Sequence, residues 1–432
     1  MKATRTKAAQ QRSPRRWRTP PPLTRGSAEG LEGMEILREV PGETGILLWQ
    51  AYRNVMFWAS VEAGERAKLF AQGAGQRRLE ELLAADVPAG ILDALVAVGR
   101  MLGAPDTTHG DVVAEAMRSI AQWAEAQGYD ATALSFTQTA ALAAPRNAEY
   151  ALAVGKLART RGEAARAETW FRHAIMVSRQ TGSWDTYGRA YLALGNMGRE
   201  RGNFPLAHRM HIKALRSGKR KGLSEIVGLS SHELFVVATE TGRNEQAEHF
   251  ARQAFRAYGH EHRLLPALAH DIAYYWMNQG HFARALPVFE ALQPLFPEMK
   301  NQLLVRAHII RAAGGAGDRE RFRKTWNEAI KLTREADATS VLADSLLEMA
   351  RGASSLGEWD RAEQVAERAV AVATERHEPT VIIRAEGILE SIRNGRSVER
   401  AVAARAGRST DQADALAHEM VRSLEHRATA GV

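Results

Sequence analysis

A glycine returns seven times between residues 128 and 357, and each return brings the same followers. Gly128, Gly162, Gly202, Gly242, Gly280, Gly317 and Gly357 are spaced 34, 40, 40, 38, 37 and 40 residues apart. Five residues after the glycine stands Ala133, Ala167, Ala207, Ala247, Ala285 or Ala362, with Phe322 in the sixth unit. An apolar residue four positions further (Phe171, Ala251, Phe289, Trp326, Ala366) and another three beyond it (Ala140, Ala174, Ala214, Ala254, Leu292, Ala329, Ala369) complete an i, i+4, i+7 stripe. That stripe is one face of a helix. Self-similarity at this period marks a stack of supersecondary units, each covering its neighbour's apolar side.

Each position has a mechanical reason. Glycine takes the left-handed conformation that closes a first helix without steric cost. The alanine lets the second helix approach the first closely. Small residues in 151–158 and 191–198 sit where helices cross. Ala and Arg are abundant, and β-branched and aromatic residues are modest, which favours helix over sheet.

This pattern resembles the tetratricopeptide repeat (TPR) family, whose unit carries small residues, then Gly, Ala, Phe and Ala at fixed offsets. Residues 191–215 match it best, and Pro145 falls where that family ends a unit. The resemblance covers residues 114–376 and implies an all-α fold: a right-handed α-solenoid of about seven TPR-like hairpins with helical caps. The units run longer than 34 residues, as in arrays of bacterial regulators, with the additions expected in connections at 216–223 and 258–264. The unit at 304–330 is degenerate, with Ile310 and Phe322 where small residues are usual.

The flanks divide by composition. Residues 1–30 read as a disordered basic tail, because eight cations and no acid fall in residues 1–25 and prolines interrupt any helix. Removing those eight from the 58 basic residues leaves 50 against 50 acidic ones, so the net charge of +8 belongs to the tail. Residues 31–103 read as a helical N-terminal cap region, with stripes at Leu48, Tyr52, Val55, Met56 and Ala59 and at Leu79, Leu82 and Leu83. The solenoid occupies 104–376. Val381, Ile382, Ala385, Ile388, Leu389 and Ile392 are spaced for a C-terminal capping helix over 377–395. Residues 396–432 read as a C-terminal tail with one further helix near Ala415–Leu424.

The apolar stretch from Ile46 to Val61 contains Gln50, Arg53 and Asn54, too short and polar to span a bilayer. With no cysteine, thiolate metal sites and cysteine nucleophiles are excluded, and a reducing, cytoplasmic setting fits. No phosphate-binding loop, nucleophile elbow, HExxH or dinucleotide fingerprint occurs. The chain is therefore expected to be no enzyme, with no catalytic residue, no metal and no cofactor.

Two histidine sets nonetheless stand out. His232-Glu233 and His270-Asp271 hold equivalent places on successive first helices, with His308 one unit further. Such groups bind metals or move protons, but helices about 10 Å apart favour hydrogen-bonded struts. His208 and His211 are three apart, with no third ligand in view and His211 on the packing face.

The resemblance implies that first helices line an inner groove that holds a partner. By register its positions are Arg118, Gln122, Lys156, Arg159, Arg189, Asn196, Arg199, His232, His270, Tyr274 and Arg311. Cations and amides dominate the first half, which suits an acidic peptide or a carboxylate terminus of another protein. The family's chaperone-binding carboxylate clamp is not present whole. The expected role is a scaffold or adaptor for a partner segment. The alternative is a regulator touching nucleic acid through Arg15, Arg16, Trp17 and Arg18 and the basic 216–221 run, read as a loop.

Overall fold

Helices follow from the period of the apolar positions, and the computed structural model places them accordingly. It describes residues 33–335, 340–406 and 411–430. Among these, all regular structure is helical, and no strand occurs. The chain divides into two compact units, Met1–Ser217 and Gly218–Val432.

The first unit opens with α1 (Met34–Glu39), α2 (Gly42–Ser60), α3 (Ala74–Ala84) and α4 (Ala89–Gly103). Three hairpins follow: α5 (Gly110–Ala126) with α6 (Asp130–Ala143), α7 (Ala148–Thr160) with α8 (Ala164–Thr181), and α9 (Trp184–Glu200) with α10 (Phe204–Lys221), whose last residues fall in the second unit. The opening helices pack on α5 and α6 through Ile36, Leu48, Tyr52, Val55 and Trp58, with Tyr52 edge-on to Phe136 at 6.2 Å. The Glu39 carboxylate accepts from the backbone N–H groups of Ala131 (3.0 Å) and Thr132 (2.7 Å) and so caps the exposed donors at the start of α6. The stripe expected on α3 is only partly used. Leu82 is buried, but Leu83 is 88% exposed. Helix α3 meets α4 around Gly75, where a Cβ would come within 2.8 Å of the α4 backbone.

The second unit holds four hairpins: α11 (Ser224–Glu240) with α12 (Asn244–Tyr258), α13 (Leu265–Asn278) with α14 (Phe282–Leu292), α15 (Met299–Ala316) with α16 (Arg319–Glu335), and α17 (Leu342–Leu356) with α18 (Trp359–Glu375). Then come α19 (Pro379–Arg393), α20 (Val398–Arg405) and α21 (Asp411–Ala430).

All seven recurring glycines lie in the turn between the helices of a hairpin, with φ between 68 and 85°. That left-handed geometry is where a Cβ is penalised. The alanines five residues later, and Phe322 in the sixth unit, are each buried. The seven hairpins are TPR-like.

Three expectations are corrected. The basic 216–221 run is not a loop but the last turns of α10. Gly218 allows this, since its missing side chain leaves room for Ile226 and Val227 of α11 at 3.1 Å from where a Cβ would sit. On α19, only Ala385 and Ile392 are buried, and Ile383 is 70% exposed. The 396–432 stretch carries two helices that dock on the second unit: α20 against α15 and α17, and α21 along α12 and α14. Leu416, Met420 and Leu424 are buried there, an amphipathic face too sparse to announce its partner from sequence. The basic tail, including Arg15 to Arg18, lies outside the described residues. No described helix is long and apolar enough to cross a membrane.

Candidate functional site on the first helices

In the first unit, the candidate positions lie on α5, α7 and α9. Arg118 is held by Glu115 on its own helix (Nε–Oε2 2.9 Å), and Tyr150 donates to the same carboxylate at 3.3 Å. Gln122 is exposed. Arg159 lies 3.5 Å from Glu200, and Arg189 lies 2.6 Å from Asp185. Among the described residues, no hydrogen bond or ion pair reaches the Lys156 ammonium. Its pKa is pushed down by burial and then by the positive charges of Arg189 and Arg159. The face thus crowds three cations, with carboxylates engaged at two of them. Asn196 and Arg199 are half-buried on α9 and make contacts of their own.

Behind this face is His211 of α10, fully buried against Gly195. Neither ring nitrogen has a hydrogen-bond partner among the described residues. Burial, then the charges of Arg199 and His208, push its pKa down to about 3, so the ring is neutral. Among the described residues no group of three or more histidine and carboxylate side chains is placed to hold a metal ion.

In the second unit, the histidines do join across helices. His232 Nε2 of α11 is 3.0 Å from Asp271 Oδ2 of α13, and His270 Nδ1 is 3.3 Å from Asp271 Oδ1. His270 Nε2 then meets His308 Nδ1 of α15 at 3.2 Å. At the other end Tyr258 OH is 3.4 Å from His232 Nδ1, and the Tyr258 ring stacks on His262 at 4.1 Å. Burial works to raise the Asp271 carboxyl, but hydrogen bonds from His232 and His270 outweigh it and hold it below the usual carboxylate range. His308 is driven down to about 3 by burial first and by His270 next. The row links three first helices, as struts do. Tyr274 flanks the pair, stacked 6.4 Å from His270 and 5.1 Å from His308, and Arg311 sits 5.9 Å over its ring.

Arg311 departs from expectation. It is 1% exposed, not an open groove position. Its guanidinium reaches Glu348 of α17 (2.7 Å), Glu399 of α20 (2.6 Å) and Asn278 (2.9 Å). Burial alone would lower its pKa, yet Glu348 and Glu399 raise it above the ordinary value. Burial likewise opposes ionisation of Glu348, but the charges of Arg311 and Arg351 bring it down to about 2. A buried charge persists only with partners of this kind. Glu348, Arg351, Asn278 and Glu399 were missed by sequence reasoning. No local spacing links them, since Glu399 is 88 positions from Arg311 and Glu348 is 37.

No family model matches the chain, and no curated protein matches it. Among solved structures, similarity is found to a signal-transduction ATPase with numerous domains and a tetratricopeptide repeat sensor from Pyrococcus horikoshii, at 12% identity and TM-score 0.47. The alignment covers 91% of this chain, which spans 64% of that protein. A Rap protein complexed with competence and sporulation factor aligns at 10% identity and TM-score 0.33, over 84% of this chain and 99% of that one. Aspartyl phosphate phosphatase F from Bacillus subtilis aligns at 10% identity and TM-score 0.35, over 86% and 97%. Likenesses this distant carry no functional weight. What describes this chain is its own construction: an all-α protein of TPR-like hairpins, with Lys156 beside Arg159 and Arg189 on the first helices of one unit and a row of linked histidines on those of the other.

Proposed function

We propose that the chain is a non-catalytic scaffold that binds an acidic segment of a partner protein on the first helices of its first unit. The observation that carries this is Lys156, held near Arg159 and Arg189 with no ion pair of its own among the described residues. Crowded like charges are unfavourable, and a carboxylate placed among them relieves the repulsion through charge-assisted hydrogen bonds. Gln122, Asn196 and Arg199 add donors on the same helices. The partner's chemistry is a run of Asp or Glu side chains.

A labelled peptide of alternating Glu and Ala, titrated against the full chain and followed by anisotropy, tests this. Binding should weaken at least tenfold in Lys156→Glu and fall as salt rises. Equal binding of an alternating Lys and Ala peptide, or indifference to Lys156→Glu, defeats the reading. If instead a random duplex DNA binds, and deletion of residues 1–25 abolishes it, the nucleic-acid alternative replaces it.

A further inference from the structure

Helix α20 is attached by its charge. Glu399 is its one fully buried residue, at 0% exposure. Its Oε1 lies 2.6 Å from Arg311 Nε and 2.8 Å from Arg351 Nε, while its Oε2 has no hydrogen-bond partner among the described residues. The walls of the seat are small or polar. Ser397 Oγ is 3.5 Å from Ser354 Oγ, and Arg400 Nε donates to the Ser355 carbonyl at 2.7 Å. Gly280 leaves room for the α20 backbone, since a Cβ there would come 2.9 Å from the Val402 oxygen.

The charges close only with α20 in place. The buried guanidinium of Arg311 and the half-buried one of Arg351 face two carboxylates, Glu348 and Glu399. Arg384, 3.9 Å from Glu348, is paired with Asp344 at 3.1 Å. Lifting α20 away leaves two cations against the single carboxylate of Glu348. The vacancy has the charge and size of one carboxylate, with Asn278 beside it. Helix α21 is held separately, by Arg284 to Asp414 (2.7 Å), His260 to Ser423 (2.7 Å) and buried Leu416, Met420 and Leu424. Release of α20 therefore need not detach the end of the chain.

We propose that α20 is a displaceable internal ligand, and that a helical segment of a partner protein, presenting one glutamate as α20 does, engages the second unit by replacing the Glu399 carboxylate between Arg311 and Arg351. This rests on the reading of first-helix faces as carboxylate receptors and extends it to a second place. An internal ligand at high effective concentration keeps the site closed to weak competitors. A buried carboxylate with one oxygen unbonded is the part of the dock that a better-paired competitor improves upon.

The chain has no cysteine, so Ser354→Cys with Ser397→Cys allows one disulfide that locks α20 down. The probe is a fluorescent peptide of residues 396–406, compared with its Glu399→Gln version. The full chain carrying Glu399→Gln should bind the probe at least tenfold more tightly than the unaltered chain, and the Gln probe at least tenfold more weakly than the Glu probe. The oxidised double-cysteine chain should not bind, and reduction should restore the binding of the unaltered chain. Arg400→Ala, which loosens α20 without touching the buried cluster, should act in the same direction if Glu399→Gln fails to fold. Equal affinity in the Glu399→Gln, Arg400→Ala and unaltered chains, or binding to the oxidised form, overturns the proposal. Lys156→Glu separates the two readings. If the Glu-Ala peptide still depends on Lys156 while the disulfide leaves binding of the 396–406 probe unchanged, only the α20 proposal fails; if the disulfide gates that probe while Lys156→Glu leaves the Glu-Ala peptide unaffected, only the scaffold site in the first unit fails.

Discussion

His270 presents one ring nitrogen to Asp271 and the other, at 3.2 Å, to Nδ1 of His308. Asp271 is ionised, so His270 Nδ1 carries the proton that it donates there. In the neutral ring, Nε2 is then the acceptor, and His308 must donate from Nδ1. With both rings neutral, the row has one consistent set of tautomers.

Acid should therefore weaken the protein well before its carboxylates protonate. His308 and His211 both have folded pKa values near 3, against about 6.5 when unfolded. The unfolded chain binds more protons between those values, so their contribution is complete above pH 6.5 and is lost as pH falls toward 3. Each site should cost about 1.4 kcal/mol per pH unit, or about 2 kcal/mol at pH 5. Urea unfolding at pH 7.5 and pH 5.0 measures the loss. Replacing His211 by leucine should remove its share, and an unchanged pH dependence in that variant would refute the assignment.

At neutral pH His211→Leu should be neutral or stabilising. Both nitrogens of this ring are buried without partners, and an apolar side chain removes that penalty. A Cβ at Gly195 would overlap the same ring, so Gly195→Ala should cost about 1–3 kcal/mol by overpacking. Combining it with His211→Ala should recover part of that loss. Additive effects in the double-mutant cycle would show that the two positions do not touch.

Arg311→Met should be among the most damaging single changes in the second unit. It leaves Glu348 and Glu399, which are 3% and 0% exposed, sharing Arg351, with Arg384 3.9 Å from Glu348. Removing one partner of a buried ion pair costs about 3–5 kcal/mol. Adding Glu399→Gln should restore some of this stability, which thermal unfolding of both variants would reveal. A double variant no better than the single one would contradict the charge balance described for α20.

Helical glycines should divide by what surrounds them. A Cβ on Gly352 would come 2.8 Å from the Ile310 carbonyl carbon and 2.9 Å from Arg311 Cα, backbone that cannot turn aside. Gly352→Ala should separate α15 from α17 and lower the melting temperature by several degrees. Gly387 on α19 has nothing within 4 Å, so Gly387→Ala should stabilise by about 0.5–1 kcal/mol. Melting curves that rank the two variants the other way would be incompatible with this packing.

The repeating glycines, the alanines behind them and the apolar stripes were legible because each depends on residues within one helical hairpin. Local spacing fixes a left-handed turn and a buried face whatever the rest of the chain does, and so the number and order of the hairpins could be read directly. The cations of α7 and α9 were also readable, as equivalent positions on successive first helices. Sequence could not show that Arg311 is sealed in, that Leu83 is left out, that 216–221 continues α10, or that α20 and α21 fold back. Those outcomes depend on which distant surfaces meet. Glu399 acquires its place only when Arg311 and Arg351 are already side by side, and Leu83 stays exposed because, among the described residues, nothing distant in the chain comes to cover it. Periodicity along the chain decided the helices; steric fit and charge pairing between residues far apart in sequence decided which faces remained open.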